Sequence, residues 1–203
     1  MQYNPEIHHR HSIRLKNYDY SRAGMYFITI CVQHKQSLFG KIENGKMILN
    51  DAGKMIEKWW EKLPAKFSNI KLNTYTIMPN HFHAIVEIIE NDDKIVGANP
   101  CVCPNLRDYQ NTHEYDKNKI QGRHAGLPLQ KLHLILQWFK TMTTNEYIHG
   151  TKTFGWKQFY KKLWQRNYFE HIIRNEQSYQ FIADYIVNNP ANWINDKFYI
   201  VEE

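Results

Sequence analysis

Along this chain the hydrophobic pattern switches repeatedly between two periods, and that switching limits the possible folds more than any other feature. Met25 to Val32 (MYFITICV) is dense in β-branched and aromatic residues and reads as a buried strand. Phe39 to Leu49 places Asn44-Gly45 between two short apolar runs, a hairpin signal. The pattern then turns helical. Asn50 or Asp51 can cap a helix running to about Lys62, with Met55, Ile56, Trp59, Trp60 and Leu63 on one stripe and Pro64 ending it. Ile70 to Ile77 and His81 to Ile89 are strand-like again, separated by a turn or bulge at Pro79-Asn80. Helical spacing returns at Leu129 to Ile148. A strand is expected within Phe159 to Ile173, and Asn175 starts a last helix that runs into Asn189-Pro190. Strands and helices interspersed, with hairpin signals, argue an α+β domain with a mainly antiparallel sheet and helices packed on one face.

Asn91 to Gly126 has no period and is frequent in Gly, Pro, Asn and Asp. It reads as a flexible loop inserted into a single domain spanning residues 1–203. No stretch reaches the roughly 18 apolar residues of a membrane helix. The N-terminus has no apolar signal core, so a cytoplasmic location is expected. Cys101 and Cys103 are one residue apart and no second pair exists, so Cys31, Cys101 and Cys103 read as reduced thiols.

The formal net charge is +6, and 13 Tyr, 10 Phe and 6 Trp accompany the cations. Aromatic faces can stack on unpaired bases while Lys and Arg follow phosphates, which suits a nucleic-acid partner; most of the aromatics belong to the core. Arg10, Arg14 and Lys16 in the opening segment, with Lys161, Lys162, Trp164 and Arg166, are candidate DNA contacts. Each could equally be solvated surface or core.

His81-Phe82-His83 is the sharpest local signal. Side chains alternate across a strand, so the two imidazoles share a face and can grip one metal ion while Phe82 anchors the strand from behind. The plain alternative is a pair of surface histidines. The last helix offers partners: Tyr185 and Asn189, four apart, face the same way. Tyr185 would be a nucleophile and Asn189 an oxygen ligand. The plain alternative for Tyr185 is core packing. No Asp or Glu cluster lies near the histidines in sequence to complete a hydrolase-type site.

These residues resemble a family. MPNHFHAIV (Met78 to Val86) is similar to the HUH motif of single-tyrosine transposases. The segment WQRNYFEHIIRNEQSYQFIADYIVNNP (Trp164 to Pro190) is similar to their nucleophile region, and RHSIRLKNYDYSRAGMYFITI to their start. The nearest type is the REP-associated tyrosine transposase, a relative of small insertion-sequence transposases. The resemblance implies a ferredoxin-like HUH fold and a divalent metal, Mg²⁺ or Mn²⁺, on His81 and His83. It implies Tyr185 as nucleophile, with Tyr179 the competitor on the same helix; Tyr147, Tyr160 and Tyr168 fit the motif worse. Insertion-sequence relatives carry a Gln ligand one turn after the tyrosine, where this chain has Asn189.

The implied activity is nicking and rejoining of single-stranded or hairpin DNA through a 5′-phosphotyrosine. The alternative is a non-catalytic nucleic-acid-binding module of the same fold. Insertion-sequence relatives act as dimers sharing active sites, whereas the REP-associated type can act alone, so both states stay open. Because ligating imidazoles must be neutral, activity is expected to fall in mild acid.

Overall fold

The computed structural model describes residues 22–89 and 132–200. In chain order these form β1 (Gly24–Cys31), β2 (Gly40–Glu43), β3 (Lys46–Leu49), α1 (Asp51–Glu61), α2 (Leu63–Lys66), β4 (Ile70–Ile77), β5 (His81–Ile88), α3 (Leu132–Thr153), β6 (Phe169–Ile173) and α4 (Glu176–Asn188). Four strands make one sheet in the order β4-β5-β1-β6, and every neighbouring pair is antiparallel. The β2–β3 hairpin stands apart as a two-stranded ribbon. Leaving out that hairpin and the one-turn α2, the order is β-α-β-β-α-β, the ferredoxin-like arrangement, followed by the extra helix α4.

Local chemistry accounts for the element boundaries. Asn44 (φ 51) and Gly45 (φ 72) both take the left-handed backbone that a two-residue hairpin turn needs. Asn50 caps α1, its side-chain oxygen accepting from the Gly53 N–H at 2.9 Å. Asn175 caps α4 in the same way, accepting from Ser178 N–H at 2.8 Å. Pro64 does not act as the stop expected of it. The first helix ends at Glu61, and Pro64 sits in the first turn of α2, where a missing N–H costs nothing.

The pleat divides the sheet into two faces. Tyr26, Ile28 and Ile30 of β1 and Phe82, Ala84, Val86 and Ile88 of β5 join the main core with Trp60 of α1 and Phe139 of α3. The Phe82 ring meets Trp60 at 4.8 Å and Phe139 at 5.6 Å. Residues of the other parity face α4, whose Ile182 and Ile186 pack on Ile85 and Ile173. A single helical face therefore holds for α1 and α3, while α4 covers the opposite side. Both parities of β5 are buried, the α4-facing one through His81, His83 and Ile85.

Residues 91–126, read above as an inserted loop, and Arg10, Arg14 and Lys16 lie outside the described residues. Among the described residues no helix is long and apolar enough to cross a membrane.

Candidate functional site

β5 enters the sheet at His81, directly after Pro79-Asn80. Its register opposite β1 sets His81 beside Cys31 and His83 beside Thr29. Both imidazoles project to the α4 side, with ring centroids 4.5 Å apart. They are not surface histidines: His81 is 0% and His83 1% exposed.

Hydrogen bonds determine which ring nitrogens are bare. The Asn80 amide Nδ2 donates to the carbonyls of Lys35 (3.1 Å) and Phe198 (2.8 Å). That orientation leaves Asn80 Oδ1 as an acceptor 2.9 Å from His81 Nδ1. His81 therefore carries its proton on Nδ1, and Nε2 presents a lone pair. His83 Nδ1 lies 2.8 Å from Thr29 Oγ1, and its Nε2 lies 3.3 Å from the Tyr185 hydroxyl. Where Thr29 Oγ1 accepts from Nδ1, His83 takes the same tautomer as His81 and its Nε2 is free to ligate. Partners of this kind are what orient metal-ligating histidines elsewhere.

Tyr185 reaches the site from the last turns of α4. Its hydroxyl also lies 3.4 Å from Asp196 Oδ2. Asn189, one turn on, is buried and donates its Nδ2 to the same Asp196 oxygen at 3.0 Å. Asp196 is fixed in turn by the Phe198 N–H, which donates to Oδ1 at 2.6 Å. One ligand atom each from His81, His83 and Asp196 lies within 4.8 Å of the other two. Asn189 Oδ1 and His81 Nε2 are both buried without a hydrogen-bond partner.

This is a cluster rich in acceptors and poor in donors. Two imidazole lone pairs, a carboxylate and an orphaned amide oxygen converge, and a divalent cation answers that imbalance directly. The electrostatics agree. Burial, with Lys197 and Lys35 adding to it, pushes His81 down to about 3, and burial with the neighbouring His81 holds His83 well below its ordinary value. Both rings stay neutral and ready to ligate far into acid. The loss expected in mild acid therefore moves to markedly lower pH. Burial, then the Asp196 charge, pushes the Tyr185 phenol up to about 12.

The rival tyrosines are placed elsewhere. Tyr179 packs against the Ile85–Ile173–Ile182–Ile186 cluster. Tyr147 is buried and donates to the Lys157 carbonyl at 2.8 Å. Tyr168 packs on the main core, and Tyr160 is exposed. Trp164, a candidate DNA contact by sequence, is a core residue whose Nε1 donates to Thr143 Oγ1 at 2.9 Å. Lys161, Lys162 and Arg166 are exposed, in the segment that follows the end of β1 through the Gln33 N–H to Leu163 carbonyl and Gln165 N–H to Cys31 carbonyl bonds. Cys31 is a buried free thiol, pushed up to about 11 chiefly by burial.

Sequence reasoning missed Asp196. It lies beyond Pro190 in an irregular segment, and no period links it to the histidines. The absence of acidic residues near the histidines in sequence therefore does not carry over to space.

The sheet is antiparallel and ferredoxin-like, with His-x-His on a central strand and Tyr185 arriving from α4. A REP-associated tyrosine transposase, solved bound to a REP hairpin, has this fold. It superposes with a TM-score of 0.51 at 18% identity over 89% of this chain and 74% of its own. The chain belongs to one family with an uncharacterized protein of Haemophilus influenzae, 40% identical over 203 residues and 98% of each chain. A second Haemophilus influenzae protein, named "Putative REP-associated tyrosine transposase", is 22% identical over 182 residues, covering 87% of this chain and 77% of its own. No family model matches the chain.

Proposed function

We propose that this protein nicks and rejoins single-stranded DNA by transesterification, with Tyr185 as the nucleophile. The observation that carries the reading is the 3.3 Å approach of the Tyr185 hydroxyl to His83 Nε2 at the edge of the acceptor cluster. His81, His83 and Asp196, with Asn189 Oδ1 alongside, would hold a divalent ion, Mg²⁺ or Mn²⁺. When bound, such an ion neutralises phosphate charge and polarises the phosphoryl oxygen.

The protein's own part is positional. The sheet holds the two imidazoles rigid, α4 aims the phenol, Asn80 sets the His81 tautomer and Thr29 holds His83 Nδ1. In the cleavage step the Tyr185 oxygen bonds to phosphorus as the bond from phosphorus to the 3′ oxygen breaks. The phenolic proton leaves and the 3′ oxygen gains one. With the His83 Nε2 lone pair given to the ion, Asp196 Oδ2 is the acceptor within reach of that proton. The products are a 5′-phosphotyrosine and a free 3′-hydroxyl. Attack by another 3′-hydroxyl reverses the step and needs no ATP, because the covalent link keeps the bond energy.

The fold neighbour's REP hairpin makes a hairpin bearing single strands the first substrate to test. Arg10, Arg14, Lys16, Lys161, Lys162 and Arg166 are the proposed backbone contacts.

The test is a denaturing gel of protein with labelled single-stranded DNA, with Mn²⁺ or with a chelator. Wild-type protein is expected to give a metal-dependent covalent adduct that Tyr185→Phe lacks, while Tyr185→Phe still binds DNA. No adduct from the wild type under any condition, with binding intact, would favour the non-catalytic module. Cleavage without an adduct would favour a hydrolase built on the two histidines and Asp196.

A further inference from the structure

Four non-glycine residues among those described adopt left-handed backbone. Asn44 is explained by its hairpin turn. The other three, His34 (φ 59), Lys35 (φ 54) and Lys161 (φ 60), lie in two turns that are bonded to each other. Gln33 N–H donates to the Leu163 carbonyl at 2.8 Å, and Tyr160 N–H donates to Gln36 Oε1 at 3.3 Å. Lys162 N–H closes the second turn on the Tyr160 carbonyl at 2.7 Å. Such backbone is costly for residues with side chains, and it gathers where function over-determines the structure. No apolar burial of these side chains accounts for it: His34 and Lys161 are exposed and Lys35 is half-buried, while the neighbouring Tyr160 is 57% exposed.

What the two turns do is present rings and ammonium groups together. The Lys161 Nζ stands 4.9 Å from the Tyr160 ring, and His34 lies 5.6 Å from the same ring. From Lys35 the track continues toward the histidines. Lys35 Nζ donates to the Lys197 carbonyl at 3.0 Å, and Lys197 Nζ stands 4.8 Å from the Phe198 ring. Phe198 lies 4.7 Å from His81. Asn80 ties this track to the site, because the amide that sets the His81 tautomer also holds the carbonyls of Lys35 and Phe198. Among the described residues none of Lys35, Lys161, Lys162 and Lys197 enters an ion pair.

We propose that Tyr160 is a stacking platform for one unpaired base of a DNA strand, with Lys161 and Lys35 on the adjoining phosphates. An exposed ring with the Lys161 ammonium 4.9 Å away, and Lys35 on the linked turn, suits a single strand, whose bases can turn outward, and not a duplex, whose bases are already stacked. The platform leads the strand to the histidine cluster, and to that extent it rests on the DNA-processing reading above.

Fluorescence anisotropy with a labelled unpaired oligonucleotide, and with the same sequence as a perfect duplex, tests it. Tyr160→Ala is expected to weaken single-strand binding by about tenfold, with the melting temperature, the salt slope and duplex binding unchanged. Lys161→Ala is expected to make the salt slope shallower by about 0.7, the single-strand value for one phosphate. Tyr160→Trp should keep the affinity and show indole quenching when the single strand binds. Unchanged affinity in Tyr160→Ala, an equal loss for duplex and single strand, or no quenching in Tyr160→Trp would overturn the platform. Should Tyr160→Ala lower the melting temperature, the Tyr160→Trp quenching decides alone. The Tyr185 adduct assay is independent: a lost platform with an intact adduct condemns this inference, and the reverse condemns the DNA-processing reading.

Discussion

The carboxamide of Asn80 accepts from His81 Nδ1 at 2.9 Å, and this one bond decides that His81 turns a bare Nε2 toward α4. The amide cannot rotate to do otherwise, because its Nδ2 is held by the Lys35 and Phe198 carbonyls. Removing it frees the ring to take the other tautomer or rotamer. Asn80→Ala is expected to weaken Mn²⁺ binding by about 10–100-fold, the usual penalty for losing such a partner. Titration of the metal-free protein followed by electron paramagnetic resonance measures it. Unaltered affinity would show that Asn80 only joins the two loops.

Asp196 and Asn189 make different demands on a cation. The carboxylate brings charge and ligating oxygen together, whereas the amide brings a dipole. Asp196→Asn is therefore expected to cost more Mn²⁺ affinity than Asn189→Ala, by at least about tenfold. Calorimetric titration of both variants ranks them. The opposite ranking would make the amide the principal oxygen ligand and leave Asp196 a partner for Tyr185 and Asn189.

Acid should reveal the buried imidazoles in the metal-free protein. His81 is pushed down to about 3 by burial, so between the ordinary histidine value near 6.5 and about 3 the unfolded chain holds a proton that the folded chain refuses. More protons bound to the unfolded state means that stability falls as pH falls. The full contribution is present above about pH 6.5, and about 2 kcal/mol of it is lost by pH 5 for this ring alone. Urea unfolding at pH 7 and pH 5 of wild type and His81→Gln reads the difference. Equal pH dependence in the two proteins would place the effect on other groups.

Phe82 anchors the histidine strand from the opposite face. It is fully buried between Trp60 and Phe139. Phe82→Ala is expected to cost about 3–5 kcal/mol of stability, as large-to-small changes in aromatic cores do. A urea midpoint measures the cost. A loss below about 1 kcal/mol would mean that the neighbouring rings collapse into the space.

Much of this site could be read from local pattern, and the residues show why. The strand period places His81 and His83 on one face, and the helix period places Tyr185 and Asn189 on another. The turn and caps at Asn44-Gly45, Asn50 and Asn175 depend on neighbours a few residues away. Such features follow from backbone sterics and short-range hydrogen bonds, which a short window of sequence contains. Other features depend on what arrives from far along the chain. Only the folded molecule brings Asp196 to histidines more than a hundred positions earlier, sets α4 on the face away from α1 and α3, and sends Tyr179 to an apolar cluster while Tyr185 meets His83. Burial, which sets the protonation of both imidazoles, and the double hold of Asn80 are likewise properties of the packed whole. Long-range contact and desolvation have no period, so no stretch of sequence displays them.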